Sequence, residues 1–275
     1  MPSDTEKAMA FRALHERRGA FIIPNPWDAG TARLFTALGF EALATTSLGL
    51  ANSLGRGDCR VTRAEVIDNC RVIAAASDLP VNADLENGFA HEPAAAAAAI
   101  GLAAEAGAVG GSIEDATGNP KDPIYDFDLA VARVRAAATL AHRLPAPFLL
   151  TARAENLLHG RDDMADTIRR LRAFAEAGAD VLYAPGLRNL AEVRQVTSAV
   201  NKPVNVVTGW LDPDITAADL AEAGAKRISI GGALNRRLLR CFLDAGRAMK
   251  EQGSFAWMRE MMPMGDLRHL FQAAG

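Results

Sequence analysis

The sequence predicts a (β/α)8 TIM barrel with an extra C-terminal helical segment, and three observations carry that prediction. Eight short apolar runs alternate with helical periodicities along the 275 residues, each run continuous, as strands buried on both faces are. Four helices end in a glycine that the next strand follows at once: Leu38-Gly39-Phe40-Glu41, Ala106-Gly107-Ala108, Ala177-Gly178-Ala179-Asp180 and Ala223-Gly224-Ala225-Lys226. A glycine there closes a helix in the left-handed conformation, so the connections into the strands are short. The longer loops come after the strands, on the face where barrels build their sites. An open doubly wound sheet is the rival, but no G-x-G-x-x-G follows the first strand and eight units fit closure better.

The elements follow in order. An amphipathic helix over Glu6 to Arg18 ends at Gly19, and Ala20 to Ile23 form a strand closed by Pro24-Asn25-Pro26. Asp28 caps a helix to Leu38; Glu41 to Thr46 is the second strand, opening into a Gly- and Ser-rich loop, Ser47 to Val61. Thr62 caps the helix Arg63 to Ser77, with Glu65 at the capping-box position. Strands then fall at 80–84, 108–113, 147–151, 180–183, 203–207 and 227–230. Helices fall at 93–106, 126–142, 162–177, 190–200, 217–223 and 234–250. Residues 1–250 thus make the barrel. The tail, 251–275, carries Phe255, Trp257, Met258, Met261, Met262, Leu267, Leu270 and Phe271, which need a surface to cover them, their own barrel or a neighbouring subunit.

Composition excludes several classes. A charge of -3 with a pI near 6.0 gives no reason to expect nucleic acid or an anionic membrane as partner. The longest apolar run, Ala94 to Ala104, is too short to span a bilayer, and the charged N-terminus is no secretory signal. Three cysteines without C-x-x-C spacing point to a reducing cytoplasm. Cys70 and Cys241 read as small packing residues; Cys59 lies in a loop. The five histidines are scattered, and no Ser-His-Asp arrangement, P-loop or zinc spacing occurs.

Chemistry gathers at the strand ends. The third strand delivers Asp84 and then Glu86; the fourth ends in Glu114-Asp115. One such acid is ordinarily a helix cap or a solvated loop residue, but several at the same end of neighbouring parallel strands suggest a hard-cation site. Two carboxylates about 4 Å apart repel by roughly 4 kcal/mol at an effective dielectric of 20, so a metal, a proton or an arginine must lie between them. The second strand ends Thr46-Ser47-Leu48-Gly49, whose amides suit an anion, and its loop adds Asp58. The fifth ends at Arg153, suited to a bidentate grip on a carboxylate or phosphonate, and the seventh at Thr208. Trp27 and Tyr183 either wall the pocket or fill the core.

Four phrases resemble the isocitrate lyase/phosphoenolpyruvate mutase superfamily: Asn25-Pro26-Trp27-Asp28-Ala29, Ala83-Asp84-Leu85-Glu86-Asn87-Gly88, Ser112-Ile113-Glu114-Asp115 and Thr151-Ala152-Arg153-Ala154-Glu155. The resemblance covers nearly the whole chain. It implies Mg2+, with Mn2+ as a substitute, at Asp84, Glu86 and Glu114, and a catalytic Asp58 near the metal-bound waters. It implies a substrate held by Thr46, Ser47, Leu48, Asp84 and Arg153, with Arg153 on its anionic group; Trp27 and Thr208, from their places in the chain, are further candidate substrate contacts. It also implies a homotetramer, a dimer of helix-swapped dimers, with the tail docked on a neighbour.

The departures narrow the chemistry. Members that cleave isocitrate or 2-methylisocitrate carry a Lys-Lys/Arg-Cys-Gly-His segment after Glu-Asp; here it is Ala116-Thr117-Gly118-Asn119-Pro120-Lys121-Asp122-Pro123, without Cys or His. Cys59 lies on the wrong loop to replace that thiol. Asn119 stands where mutase and phosphonopyruvate hydrolase members place a gating Asn or Thr. The resulting expectation is a Mg2+-dependent carbon-carbon lyase or decarboxylase acting on a small, oxaloacetate-like 2-oxo or 2-hydroxy acid through a metal-stabilised pyruvate enolate. A carbon-phosphorus enzyme and a weakly catalytic 2-oxo acid binder are the alternatives.

Overall fold

The computed structural model describes residues 2–273. Eight parallel strands wind in one sheet: β1 (Phe21–Ile23), β2 (Leu43–Ala44), β3 (Val81–Asp84), β4 (Gly110–Glu114), β5 (Leu149–Arg153), β6 (Val181–Tyr183), β7 (Val204–Val207) and β8 (Arg227–Ser229). The order β1-β8-β7-β6-β5-β4-β3-β2 brings the first strand beside the last. No ladder joins β1 to β2. A single Ala44 N–H donating to the Pro24 carbonyl at 3.0 Å closes that seam, and the Asn25 carboxamide ties it at the mouth to the Thr45 carbonyl and the Ile230 and Gly231 amides. The result is a nearly closed (β/α)8 TIM barrel.

Its helices are α1 (Asp4–Glu16), α2 (Ala29–Ala37), α3 (Ser47–Ser53), α4 (Arg63–Ala75), α5 (Pro93–Glu105), α6 (Phe127–Ala141), α7 (Met164–Glu176), α8 (Leu190–Ala199), α9 (Ala217–Glu222), α10 (Ala233–Gln252) and α11 (Met264–Ala273). The capping box at Thr62 and Glu65 forms as the sequence predicts. The glycines that end α5, α7 and α9 sit at φ +91°, +108° and +90°, where a Cβ would be strained, so each strand starts immediately after its helix.

Alanine-rich α5 packs on α6 at close range. Helix α1 lies under the barrel as a plug: Phe11 is fully buried against Phe21 and His15, and a Cβ on Gly110 would stand 2.8 Å from its ring. Glycine in β4 is therefore what lets the plug enter. Above it the barrel interior is polar. Arg227 donates to Asn205 and Thr151, and Asn205 donates to Ser229.

One expectation changes: the loop 47–61 is not irregular throughout, because Thr46 caps α3 by accepting the Gly49 amide. The tail forms a 3-10 turn (Ala256–Glu260) and then α11, which lies against α2 within this single chain. Helix α10, by contrast, leaves Leu238, Leu239, Phe242 and Leu243 exposed, Phe242 by 76%. No helix among the described residues is long and apolar enough to cross a membrane.

Candidate active site

At the C-terminal mouth the strand ends converge on one guanidinium. Arg153, the last residue of β5, reaches Asp84 of β3 at 3.0 Å, Glu114 of β4 at 3.2 Å and Glu155 at 2.8 Å. Its plane lies over the Tyr183 ring, 5.0 Å from the centroid. Burial works against its charge, yet Glu155, Glu114 and Asp84 outweigh burial and hold it protonated. Period-two alternation explains the grouping: Asp84, Glu114, Arg153 and Tyr183 occupy neighbouring registers of the same inward face.

Asp84 is oriented from three sides. Its amide donates to the Thr45 hydroxyl at 2.8 Å, one carboxylate oxygen accepts the Ser47 amide at 3.0 Å, and the other meets Arg153. Glu86 sits just beyond in the left-handed region, φ +46°, in a loop where Gly88 and Phe89 also have positive φ. Its Oε1 is buried without a partner among the described residues. Burial first, then Asp84 and Asp58, push its carboxyl up to about 7. Burial also raises Glu114 well above the carboxylate range, with Arg153 opposing, and raises Glu155.

Four carboxylates thus gather around one arginine, and burial together with neighbouring carboxylates raises the proton affinities of Glu86, Glu114 and Glu155. Among the described residues no three Asp, Glu, His or Cys side chains form a ready-made ion cage. Direct ligation by Asp84, Glu86 and Glu114 together is therefore not preformed, since Arg153 lies between Asp84 and Glu114. A magnesium ion needs no such cage, because it keeps several waters and takes one or two carboxylates. The orphaned Glu86 oxygen and the excess of hard oxygen donors fit that ion.

The other expected residues distribute unevenly. Thr46 caps α3, the Ser47 amide is spent on Asp84, and the Leu48 side chain packs on Gly232. Trp27 is buried against Gly49, so it braces α3. Thr208 is half-buried in the turn that follows β7. Asp58 lies on the exposed loop after α3, where desolvation and then the Asp84 charge raise its carboxyl. Asn119 is not brought to the cluster: it is exposed, and its carboxamide oxygen accepts the Lys121 amide within its own turn. Burial and neighbouring carboxylates push the Cys59 thiol up to about 12, so it is no thiolate at neutral pH.

Asp115 turns away from the mouth. Adjacent strand residues face opposite sides, and Asp115 instead accepts Arg170 of α7 at 3.1 Å and the Glu155 amide at 2.8 Å. Behind β3, fully buried Arg133 of α6 donates to the carbonyls of Asn87, Ala90 and His91. These two arginines fix the loops that present Glu86 and Glu155. Sequence reading named neither.

The family model of phosphoenolpyruvate phosphomutase matches residues 11–250. A solved structure from Burkholderia cenocepacia J2315, described as a lyase/mutase, superposes with a TM-score of 0.95 at 54% identity, covering 98% of this chain and 96% of that one. The 2-methylisocitrate lyase of Escherichia coli K12 is 30% identical over 224 residues, 78% of this chain and 74% of its own length. The oxaloacetate decarboxylase of Bradyrhizobium diazoefficiens is 28% identical, covering 82% and 80%. With a matching model over most of its length and a mouth built of the expected acids and arginine, the chain is a lyase-type enzyme of the isocitrate lyase/phosphoenolpyruvate mutase superfamily and belongs to the phosphoenolpyruvate phosphomutase family.

Proposed function

We propose that the chain is a Mg2+-dependent lyase that breaks a carbon-carbon bond in a small, oxaloacetate-like 2-oxo or 2-hydroxy acid and releases a pyruvate-type enolate. The observation that carries this reading is the acid-rich cluster of Asp84, Glu86, Glu114 and Glu155 around Arg153, with one Glu86 oxygen lacking a partner among the described residues. Asp84, Glu86 and Glu114 would hold the ion, mainly through water, and the ion would supply Lewis-acid stabilisation of enolate charge. In the ion's presence Arg153 is free to exchange a carboxylate partner for a substrate carboxylate, which it can meet bidentately. The free Leu48 amide at the start of α3 and the Thr208 hydroxyl stand at the same mouth to orient the other end.

Carbon-carbon chemistry is favoured over carbon-phosphorus chemistry because Asn119 lies outside the cluster. The exposed apolar face of α10 supports assembly as a homotetramer of helix-swapped dimers. The test is NMR-monitored incubation with Mg2+ and oxaloacetate, 2-methylisocitrate, 2-methylmalate or phosphonopyruvate. Turnover of a carbon-carbon substrate, lost with EDTA and in Asp84→Ala, is expected. Turnover of phosphonopyruvate alone, or of none, overturns the reading.

A further inference from the structure

We propose that Tyr183 is the proton donor of this enzyme, its phenol delivering the proton that the enolate carbon needs once the carbon-carbon bond has broken. The inference rests on the lyase reading above and names the residue that completes it. An enolate formed by bond cleavage becomes product only when its carbon gains a proton, and the loop Ala116–Pro123 offers neither thiol nor imidazole.

Glu86 and Glu114 are committed to the ion in the lyase reading and Glu155 to Arg153, which leaves the tyrosine, histidine and cysteine side chains near the mouth to weigh as donors. Of the two tyrosines, Tyr125 is engaged: its hydroxyl lies 2.6 Å from His91 Nδ1, and the Arg133 guanidinium covers its ring at 4.2 Å. His159 is exposed, beyond the turn after β5. Cys59 is on the exposed loop after α3. Tyr183 is different. It ends β6 on the inward face, in register with Arg153, and its ring stacks under that guanidinium. Its hydroxyl has no hydrogen-bonding partner among the described residues, and the residue is only partly buried.

The surroundings suit a donor. Burial raises the phenol above its ordinary range, so it carries its proton at neutral pH. The phenolate left behind faces two cations, Arg153 and Arg227. Arg227 is buried and, among the described residues, pairs with no carboxylate and has an Nη1 without a partner. A buried, uncompensated guanidinium is costly unless charge develops near it. Charge developing on Tyr183 during turnover gives Arg227 that role. The step balances as follows. The pair released from the broken carbon-carbon bond resides in the enolate, and it forms the new C–H bond with the Tyr183 proton. The O–H pair stays on the phenolate, which then takes a proton from water in the mouth.

The test uses 3-methyloxaloacetate in D2O with the Mg2+-loaded enzyme, because its product, 2-oxobutyrate, records the face of protonation. The wild type should place deuterium in a single configuration. Tyr183→Phe should lose at least 100-fold in kcat and deliver racemic deuterated product. It should still bind oxalate, a planar dianion resembling the enolate, within about threefold of the wild-type Kd by calorimetry. Single-configuration product from Tyr183→Phe, racemic product from the wild type, or loss of oxalate binding in the variant would overturn the assignment. A wild type that cleaves no 2-oxo or 2-hydroxy acid of the panel overturns the lyase reading instead, and the proton donor with it.

Discussion

Replacing Glu86 by glutamine should stabilise the metal-free protein. The carboxyl is pushed up to about 7 in the folded state, against an ordinary value of 4.5. Between those values the native state binds the extra proton, so the Glu86 contribution is intact below pH 4.5 and is lost as pH rises through 7. At 1.36 kcal/mol per unit, the wild type forfeits about 3 kcal/mol at pH 8 and about 1 kcal/mol at pH 5. Glutamine keeps the shape and removes the charge, so Glu86→Gln should gain up to about 3 kcal/mol at pH 8 and little at pH 5. Urea denaturation in EDTA at the two pH values measures this. Saturating Mg2+ should reverse the order, because the ion stabilises the wild type and gains less from the amide. An equal change at both pH values, or a variant less stable than wild type at pH 8 in EDTA, would refute the charge-deficit account.

Other perturbations separate structure from chemistry. Arg133→Met removes a buried cation bonded to three loop carbonyls, so stability should fall by about 3 kcal/mol or more and amide exchange at 87–91 should accelerate. Asn119→Ala should leave kcat/KM within about threefold, since the side chain serves only its own turn; a 100-fold loss would restore it to a gating role. Phe242→Glu on the exposed face of α10 should lower the subunit number seen by light scattering, and an unchanged mass would remove that face from the interface.

Most of the barrel was legible because several helices, α5, α7 and α9 among them, end at a glycine in the left-handed conformation, and because buried strands read as largely apolar runs. Helix α3 was hidden by Ser47, Gly49 and Ser53, poor helix formers that succeed here because Thr46 caps them and Leu50 and Ala51 bury against the core. The acid mouth was half legible. Asp84, Glu86, Glu114 and Arg153 meet as the strand-end grammar implies, yet Asp115 faces the helices, a difference that strict alternation along β4 would have exposed. Glu155 was visible as a neighbour of Arg153 but not as its partner. Arg133 and Arg170 escaped because a buried arginine on an amphipathic helix looks like any solvated one until its carbonyl or carboxylate acceptors are known. Tyr183 could not be sorted between wall and core from sequence, because only the register against Arg153 gives it a direction.

The seam between β1 and β2 has a consequence for biosynthesis. Phe21 and Ile23 can enter a ladder only with Arg227 and Ser229, about 200 residues later in the chain. At roughly 5–20 residues per second, the ribosome leaves that first strand waiting for about 10–40 s. Throughout that interval Phe21, later part of the floor of the barrel, lacks the strand it will pair with. The segment around β1 is thus the stretch on which a holdase chaperone has the longest opportunity to act, and the cylinder shuts only once β8 has emerged.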